Sequence, residues 1–248
     1  MDKAFLETCH NRLAAGEVLV LATVTRGEAA LLGRHLLLTR SGECQSSLTD
    51  PEVIAFVRQA ALPFFERESC ELVQFRDLEL FLETWLPPPK LIIVGAVHIA
   101  VPLVHVAHTL DFQVILVDPR GQFATAERFP HVDQIVRGWP EPALAEIGID
   151  ANTCVVVLTH DPKLDDPAVI TALRYQPAYL GVLGSRKTHE KRLRRLREAG
   201  VPEEQLSRVH APIGLNLGAA TPAEIAVSIM AEIIARRRLA PAAKATVP

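Results

Sequence analysis

The densest group of chemically able side chains in the sequence is Thr159-His160-Asp161-Pro162-Lys163, where a hydroxyl, an imidazole, a carboxylate and an ammonium fall within five residues. A loop of that kind can contact the polar ring or ribose of a ligand when it lies at the carboxyl edge of a parallel sheet, where open α/β folds bind. A second group, Gly184-Ser185-Arg186-Lys187, reads as a Gly-Ser turn feeding a helix whose first residues are cations. Free amides at a helix N-terminus, a hydroxyl and a guanidinium fork make a cradle for phosphate or carboxylate. This is a local signal, because the formal charge of −3, from 26 basic and 29 acidic residues, sets up no general field for nucleic acid or an acidic membrane. The following Lys191, Arg192, Arg194, Arg195 and Arg197 read as a solvated helix face alternating with core Leu193 and Leu196. Nucleic-acid binding would call for aromatics among them, and there are none.

A third group is Gly95-Ala96-Val97-His98-Ile99-Ala100, which follows the apolar run Leu91 to Val94. Gly95 can make the tight turn and Ala100 lets a helix pack closely, but Val97 puts a branched side chain where a pyrophosphate needs bare backbone. Asp118, at the end of the next apolar run, stands about 20 residues on, where a dinucleotide fold keeps the carboxylate that holds a ribose hydroxyl. The two features disagree, and dinucleotide binding in the ordinary pose is weakened without being removed. His98, His105 and His108 share a helical stripe, yet seven residues of helix rise about 10 Å, too far for His98 and His105 to share one ion. No nucleophile elbow is present, so the sequence predicts neither catalytic residues nor metal ligands.

The elements that must position these groups follow from the apolar patterning. After Pro87-Pro88-Pro89, short β-branched runs alternate with helical stretches, the mark of parallel βαβ units. Strands are predicted over Lys90–Val94, Gln113–Val117, Gln134–Arg137, Cys154–Leu158, Ala178–Val182 and Val209–Ala211. Helices are predicted over Val101–Leu110, Glu141–Ile147, Pro167–Tyr175, Lys187–Ala199 and Pro222–Arg237. Before the prolines, a helix near residues 2–15 is followed by extended runs at Glu17–Thr25 and His35–Thr39. Asp50-Pro51 then opens a helix as cap and first-turn proline, with further strands at Glu71–Phe75 and Glu79–Trp85. The expected fold class is α/β: a C-terminal doubly wound Rossmann-type parallel sheet over 90–238, preceded by a small α+β domain over 1–86, with 87–89 as linker and 239–248 as a flexible tail. The cysteines Cys9, Cys44, Cys70 and Cys154 are widely spaced and include no C-x-x-C pair, which suits a reducing compartment. With no signal-peptide pattern in Met1–Glu17 and no apolar run of spanning length, a cytoplasmic location is expected.

Several ordered motifs resemble the XdhC/CoxI family, the xanthine dehydrogenase accessory proteins. They are Ile93 to Ala100, Val117-Asp118-Pro119-Arg120 with Phe123 to Pro130, Leu158 to Pro167, Gly184-Ser185-Arg186, His210 to Leu215 and Thr221 to Ala226. The resemblance covers nearly all of the second domain and implies a chaperone that binds the molybdenum cofactor (molybdopterin). It also implies partners: a molybdenum hydroxylase subunit that receives the cofactor, and a cysteine desulfurase that supplies its sulfido ligand. Homodimer formation stays open. Cofactor-binding residues are expected to be Gly95, His98, Asp118, Arg120, Thr159, His160, Asp161, Gly184, Ser185 and Arg186. The Gly-Gly-Cys-x-Glu motif usual in that family is absent here; Gly42-Glu43-Cys44-Gln45 stands near its place. Cys44, in a predicted polar turn, is the cysteine placed for sulfur transfer, and the departure argues against that role. Two other functions remain open from the residues: an NAD(P)-linked oxidoreductase, and a Rossmann fold kept as an interaction scaffold.

Overall fold

In the computed structural model, which describes residues 3–66 and 68–239, the chain divides into two compact units, Met1–Pro88 and Pro89–Pro248. The first contains α1 (Lys3–Ala14), β1 (Leu19–Arg26), β2 (His35–Thr39), β3 (Cys44–Ser46), α2 (Pro51–Ala60), a 3-10 turn at Leu62–Phe65, β4 (Cys70–Phe75) and β5 (Leu78–Trp85). Its five strands form an antiparallel sheet in the order β3-β2-β1-β5-β4. Central β1 is apolar on both faces: Val20, Ala22 and Val24 join the cluster with Val53 and Val57 of α2, and Leu19 and Leu21 join that with Phe5 and Cys9 of α1. As expected, Asp50 caps α2, its carboxylate accepting from the Glu52 amide at 2.8 Å. Cys44 departs from expectation. It begins edge strand β3 and is half-buried, whereas Cys70, at the start of edge strand β4, is exposed. A three-residue strand without a β-branched run carries no periodic signal to read.

The second unit runs β6 (Lys90–Val94), α3 (Ala100–Thr109), β7 (Gln113–Val117), β8 (Gln134–Val136), α4 (Pro140–Ile147), β9 (Thr153–Val157), α5 (Pro162–Tyr175), β10 (Tyr179–Val182), α6 (Arg186–Glu198), α7 (Glu203–Leu206), β11 (Val209–His210) and α8 (Pro222–Leu239). Every strand pair is parallel, in the order β11-β10-β9-β6-β7-β8. That is the doubly wound Rossmann order, with the switch point between β6 and β9. Leu91 and Ile93 face a core shared with α3 and α8, and Ile92 and Val94 face one shared with α4, α5 and α6. Covering on both faces is why these strands are continuous apolar runs rather than alternating ones.

The start of α5 corrects the expected helix over Pro167–Tyr175. Asp161 is the cap, its carboxylate accepting from the Lys163 amide at 3.0 Å, and Pro162 is the first helical residue, leaving Pro167 inside the helix. Lys163 thus belongs to a helical turn and not to the loop. Leu239 ends α8; the rest of the expected tail, 240–248, lies outside the described residues.

Candidate functional site

The carboxyl ends of β6, β9 and β10 bring the sequence-predicted groups together. After β6 the chain turns at Gly95, φ +112°, whose amide donates to the Val117 carbonyl at 2.9 Å. The Cα hydrogen of Gly95 faces Thr159: a Cβ on it would stand 2.6 Å from Thr159 Cγ2 and 3.2 Å from the Thr159 nitrogen. Gly95→Ala therefore meets both a left-handed backbone and an occupied space, and is expected to destabilise the unit by about 1–2 kcal/mol from strain alone. Thermal unfolding of that variant at the wild-type temperature would show the turn to be more adaptable than this.

Asp118 is fully buried at the end of β7 and is already engaged. Its Oδ2 accepts from the Ala96 amide at 2.7 Å and from Arg120 Nη2 at 2.7 Å; its Oδ1 accepts from the Arg120 amide and Nε, both at 2.9 Å. Burial pushes this carboxyl up, but the hydrogen bonds from Arg120 and the two amides prevail and hold it below the usual range. Asp118 thus braces the Gly95–Ala96 turn, and a ligand hydroxyl would have to displace a donor to reach it. Arg120 is half-buried, with its guanidinium 5.0 Å over the Phe123 ring. His98 is exposed beyond the turn.

Thr159, half-buried after β9, donates from Oγ1 to Asp165 Oδ1 at 2.5 Å and accepts from the Asp161 amide at 3.1 Å. His160 is exposed in a left-handed conformation, φ +64°. Asp165, on the inner side of α5, accepts from Arg192 Nη2 at 3.2 Å; the same Nη2 donates to the Leu183 carbonyl at 3.2 Å. Both side chains of this pair are almost fully buried. Burial pushes the Asp165 carboxyl up, against the opposing pull of Thr159 and Arg192. Gly184 then leaves β10 with φ +146°, and Ser185 caps α6, its Oγ accepting from the Thr188 amide at 3.2 Å. Arg186 and Lys187 are exposed in the first turn, which carries no acidic residue.

Thr159 and the Leu183 carbonyl, which precedes Gly184, are therefore linked through Asp165 and Arg192, two residues that sequence reasoning missed. Arg192 is not part of a solvated face: it is buried, while Arg195 pairs bidentately with Asp166 and Arg197 with Glu203. The overlooked signal was spacing, since Ser185, His189, Arg192 and Leu196 recur at three- and four-residue intervals on one helical face.

Two further clusters lie in this unit. The His105 and His108 rings approach that of His131, at centroid distances of 5.0 and 5.2 Å, beside a groove of about 530 Å³ lined by α3, residues 128–131 and α8. Among the described residues, no group of three or more His, Cys, Asp or Glu side chains is arranged to hold a metal ion. Under the sheet, Glu232 Oε2 accepts from Tyr179 Oη at 2.6 Å and the Gly214 amide at 2.7 Å, and Glu232 Oε1 lies 3.4 Å from His210 Nδ1. Among the described residues no helix is long and apolar enough to cross a membrane.

Comparison with known proteins matches residues 91–233 to the family model described as the XdhC Rossmann domain. A probable xanthine dehydrogenase subunit of Bacillus subtilis (strain 168) is 32% identical over 206 residues, covering 82% of this chain and 58% of that protein. The molybdenum cofactor insertion chaperone PaoD of Escherichia coli (strain K12) is 38% identical over 96 residues, covering 39% of this chain and 30% of that protein. The chain thus spans less than two thirds of the length of these relatives. In fold, a xanthine dehydrogenase from Bacillus halodurans is similar with a TM-score of 0.78 at 23% identity, covering 95% of this chain and 67% of that one.

Proposed function

The chain belongs to the XdhC family, and on that premise we propose that it is a maturation factor for a molybdenum hydroxylase that carries the molybdenum cofactor as cargo. The observation that carries this is the head of α6, where Ser185 caps a helix whose first turn holds Arg186 and Lys187 and no acid. A helix N-terminus with exposed cations and a hydroxyl suits the phosphate of molybdopterin. Thr159, His160 and Asp161, one strand away, are the groups for the polar edges of the pterin. The relative named as a cofactor insertion chaperone supports the same assignment. A hydroxylase subunit is the proposed recipient and a cysteine desulfurase the proposed sulfur source; homodimer formation belongs with these proposals.

Sulfur is proposed not to pass through Cys9, Cys44 or Cys154. Burial pushes the Cys9 and Cys154 thiols up, Cys154 to about 12, which removes the thiolate that sulfur transfer needs. Cys44 lacks the family's Gly-Gly-Cys surroundings. The NAD(P)-linked alternative gains nothing from the geometry, because Val97 stands in the β6–α3 turn and the Asp118 carboxylate is taken up by Arg120.

Binding of purified molybdenum cofactor, followed by fluorescence quenching, tests the proposal, with NADH as the control. Arg186→Ala is expected to weaken cofactor binding at least tenfold at an unchanged melting temperature, because a charge-assisted contact is worth about 1.5–3 kcal/mol. Equal affinity in the variant would take Arg186 out of the site. Saturable binding of NADH in place of the cofactor would favour the oxidoreductase.

A further inference from the structure

We propose that Arg192 is a second, buried cation of the anion site at the head of α6, gripping the ligand's phosphate from beneath while the helix amides and Arg186 hold it from outside. This rests on the assignment of a phosphate to that loop, and adds the residue that would bind it from within.

Arg192 lies two turns inside α6. Helical side chains lean toward the N-terminus, so its long stem brings the guanidinium back under the first turn. There it is 1% exposed and only partly used. Nη2 serves both Asp165 and the Leu183 carbonyl, whereas Nε and Nη1 are buried with no hydrogen-bond partner among the described residues. One turn earlier on the same face, His189 Nδ1 is also buried and unpartnered among the described residues. Native structures rarely leave such groups unmet, and a cation with two idle donors is a strong exception.

Gly184 shows where those donors lead. It has no side chain, and a Cβ added there would face Thr188 Cβ at 3.4 Å and Arg192 Nη1 at 3.9 Å. An anion seated against the bare Gly184 backbone therefore lies beside Nη1 and the Thr188 methyl, next in the chain to the Ser185 cap, whose Oγ is 3.0 Å from the Thr188 hydroxyl. The N-terminus of α5 points toward the same sheet edge but is closed by the Asp161 carboxylate, with Asp165 in its first turn. Of the two, only α6 combines an acid-free first turn with a buried guanidinium that has donors unused by Asp165, and that combination suits a phosphate-type anion. The two cations should respond differently to salt: an exposed Arg186 is screened, and a desolvated Arg192 is not.

The probe is inorganic pyrophosphate titrated into the full chain by calorimetry, at low salt and at about 0.5 M salt, alongside arginine-selective side-chain NMR of the wild type. The Arg192 Nε–H resonance is expected to shift with the calorimetric saturation curve. Arg192→Lys, which keeps a charge for Asp165 but loses the fork, should weaken pyrophosphate tenfold or more at both salts. Arg186→Ala should lose its effect at high salt. If Arg192→Lys does not fold, the wild-type resonance decides. Saturable pyrophosphate binding with an unmoved Arg192 resonance would make Arg192 purely structural and leave the outer cradle standing. Absence of pyrophosphate binding would overturn the inference outright. A shifted Arg192 resonance in a chain that takes up no molybdenum cofactor would uphold this site and discard the proposed cargo.

Discussion

Asp165→Ala is expected to destabilise the Rossmann unit by about 3–5 kcal/mol, the cost of leaving one member of a buried ion pair alone. The size follows from what the substitution strands. Arg192 already has two unpartnered nitrogens among the described residues, and loss of Asp165 would leave a nearly fully buried guanidinium with only the Leu183 carbonyl. Thr159 would lose its acceptor as well, loosening the β9–α5 loop against the Gly95 turn. Burial pushes the Asp165 carboxyl up, the sign of a desolvation cost that an apolar pair of similar volume avoids. Asp165→Leu combined with Arg192→Met should therefore regain most of what either single loss costs. Urea midpoints followed by circular dichroism measure this. A single variant within about 1 kcal/mol of wild type, or a double variant as unstable as the sum of the singles, would sink the account.

A second large effect is expected in acid. Burial pushes the Glu232 carboxyl up, but the hydrogen bonds from His210, Tyr179 and the Gly214 amide outweigh it and bring the pKa down from its ordinary value of 4.5 to about 2. A carboxyl depressed in the folded state contributes stability that is fully present above its unfolded pKa and is lost as pH falls through the folded one. The window is thus from about 4.5 down to about 2, and the contribution is roughly 3 kcal/mol. Asp165 has the opposite sign: protonation relieves its burial, and that gain comes as pH falls toward its ordinary value of 3.8. Comparison with Glu232→Gln at each pH isolates the Glu232 share. The gap between the two proteins should be about 3 kcal/mol at pH 7 and should shrink by about 2 kcal/mol or more by pH 2.5. A gap that stays constant across that range would show that the hydrogen bonds do not discriminate between carboxylate and acid.

Much of the second unit was legible because the central strands β6, β7 and β9, covered on both faces, are continuous apolar runs rich in β-branched residues, and each such run marked a strand. The start of α5 was not, for a specific reason. Asp161-Pro162 and Asp166-Pro167 are the same cap-plus-proline signal five residues apart, and nothing local decides between them. Packing decides: only the earlier start brings Asp165 onto the inner helix face, where it meets Thr159 and Arg192. Arg192 was hidden by its residue type within a cationic run, although the spacing to Leu196 placed it inward. Asp118 stands at the carboxyl end of its strand, where the spacing put it. That its oxygens already serve the Ala96 amide and Arg120 is a matter of acceptor count, which no one-dimensional pattern contains.

The strand order carries a consequence for the chain as it is made. β6 pairs on one side with β7, the next strand in the chain, and on the other with β9, so that Val94 meets Val157 across the middle of the sheet. At about 5–20 residues per second, Val157 is synthesised roughly 3–13 s after Val94. During that interval the nascent half-sheet of β6, β7 and β8 presents an uncovered apolar strand edge at what becomes its centre, an open template for pairing with another chain. The order that opens the crevice at the β6–β9 switch point thus also gives the half-made sheet an edge that only a later strand closes.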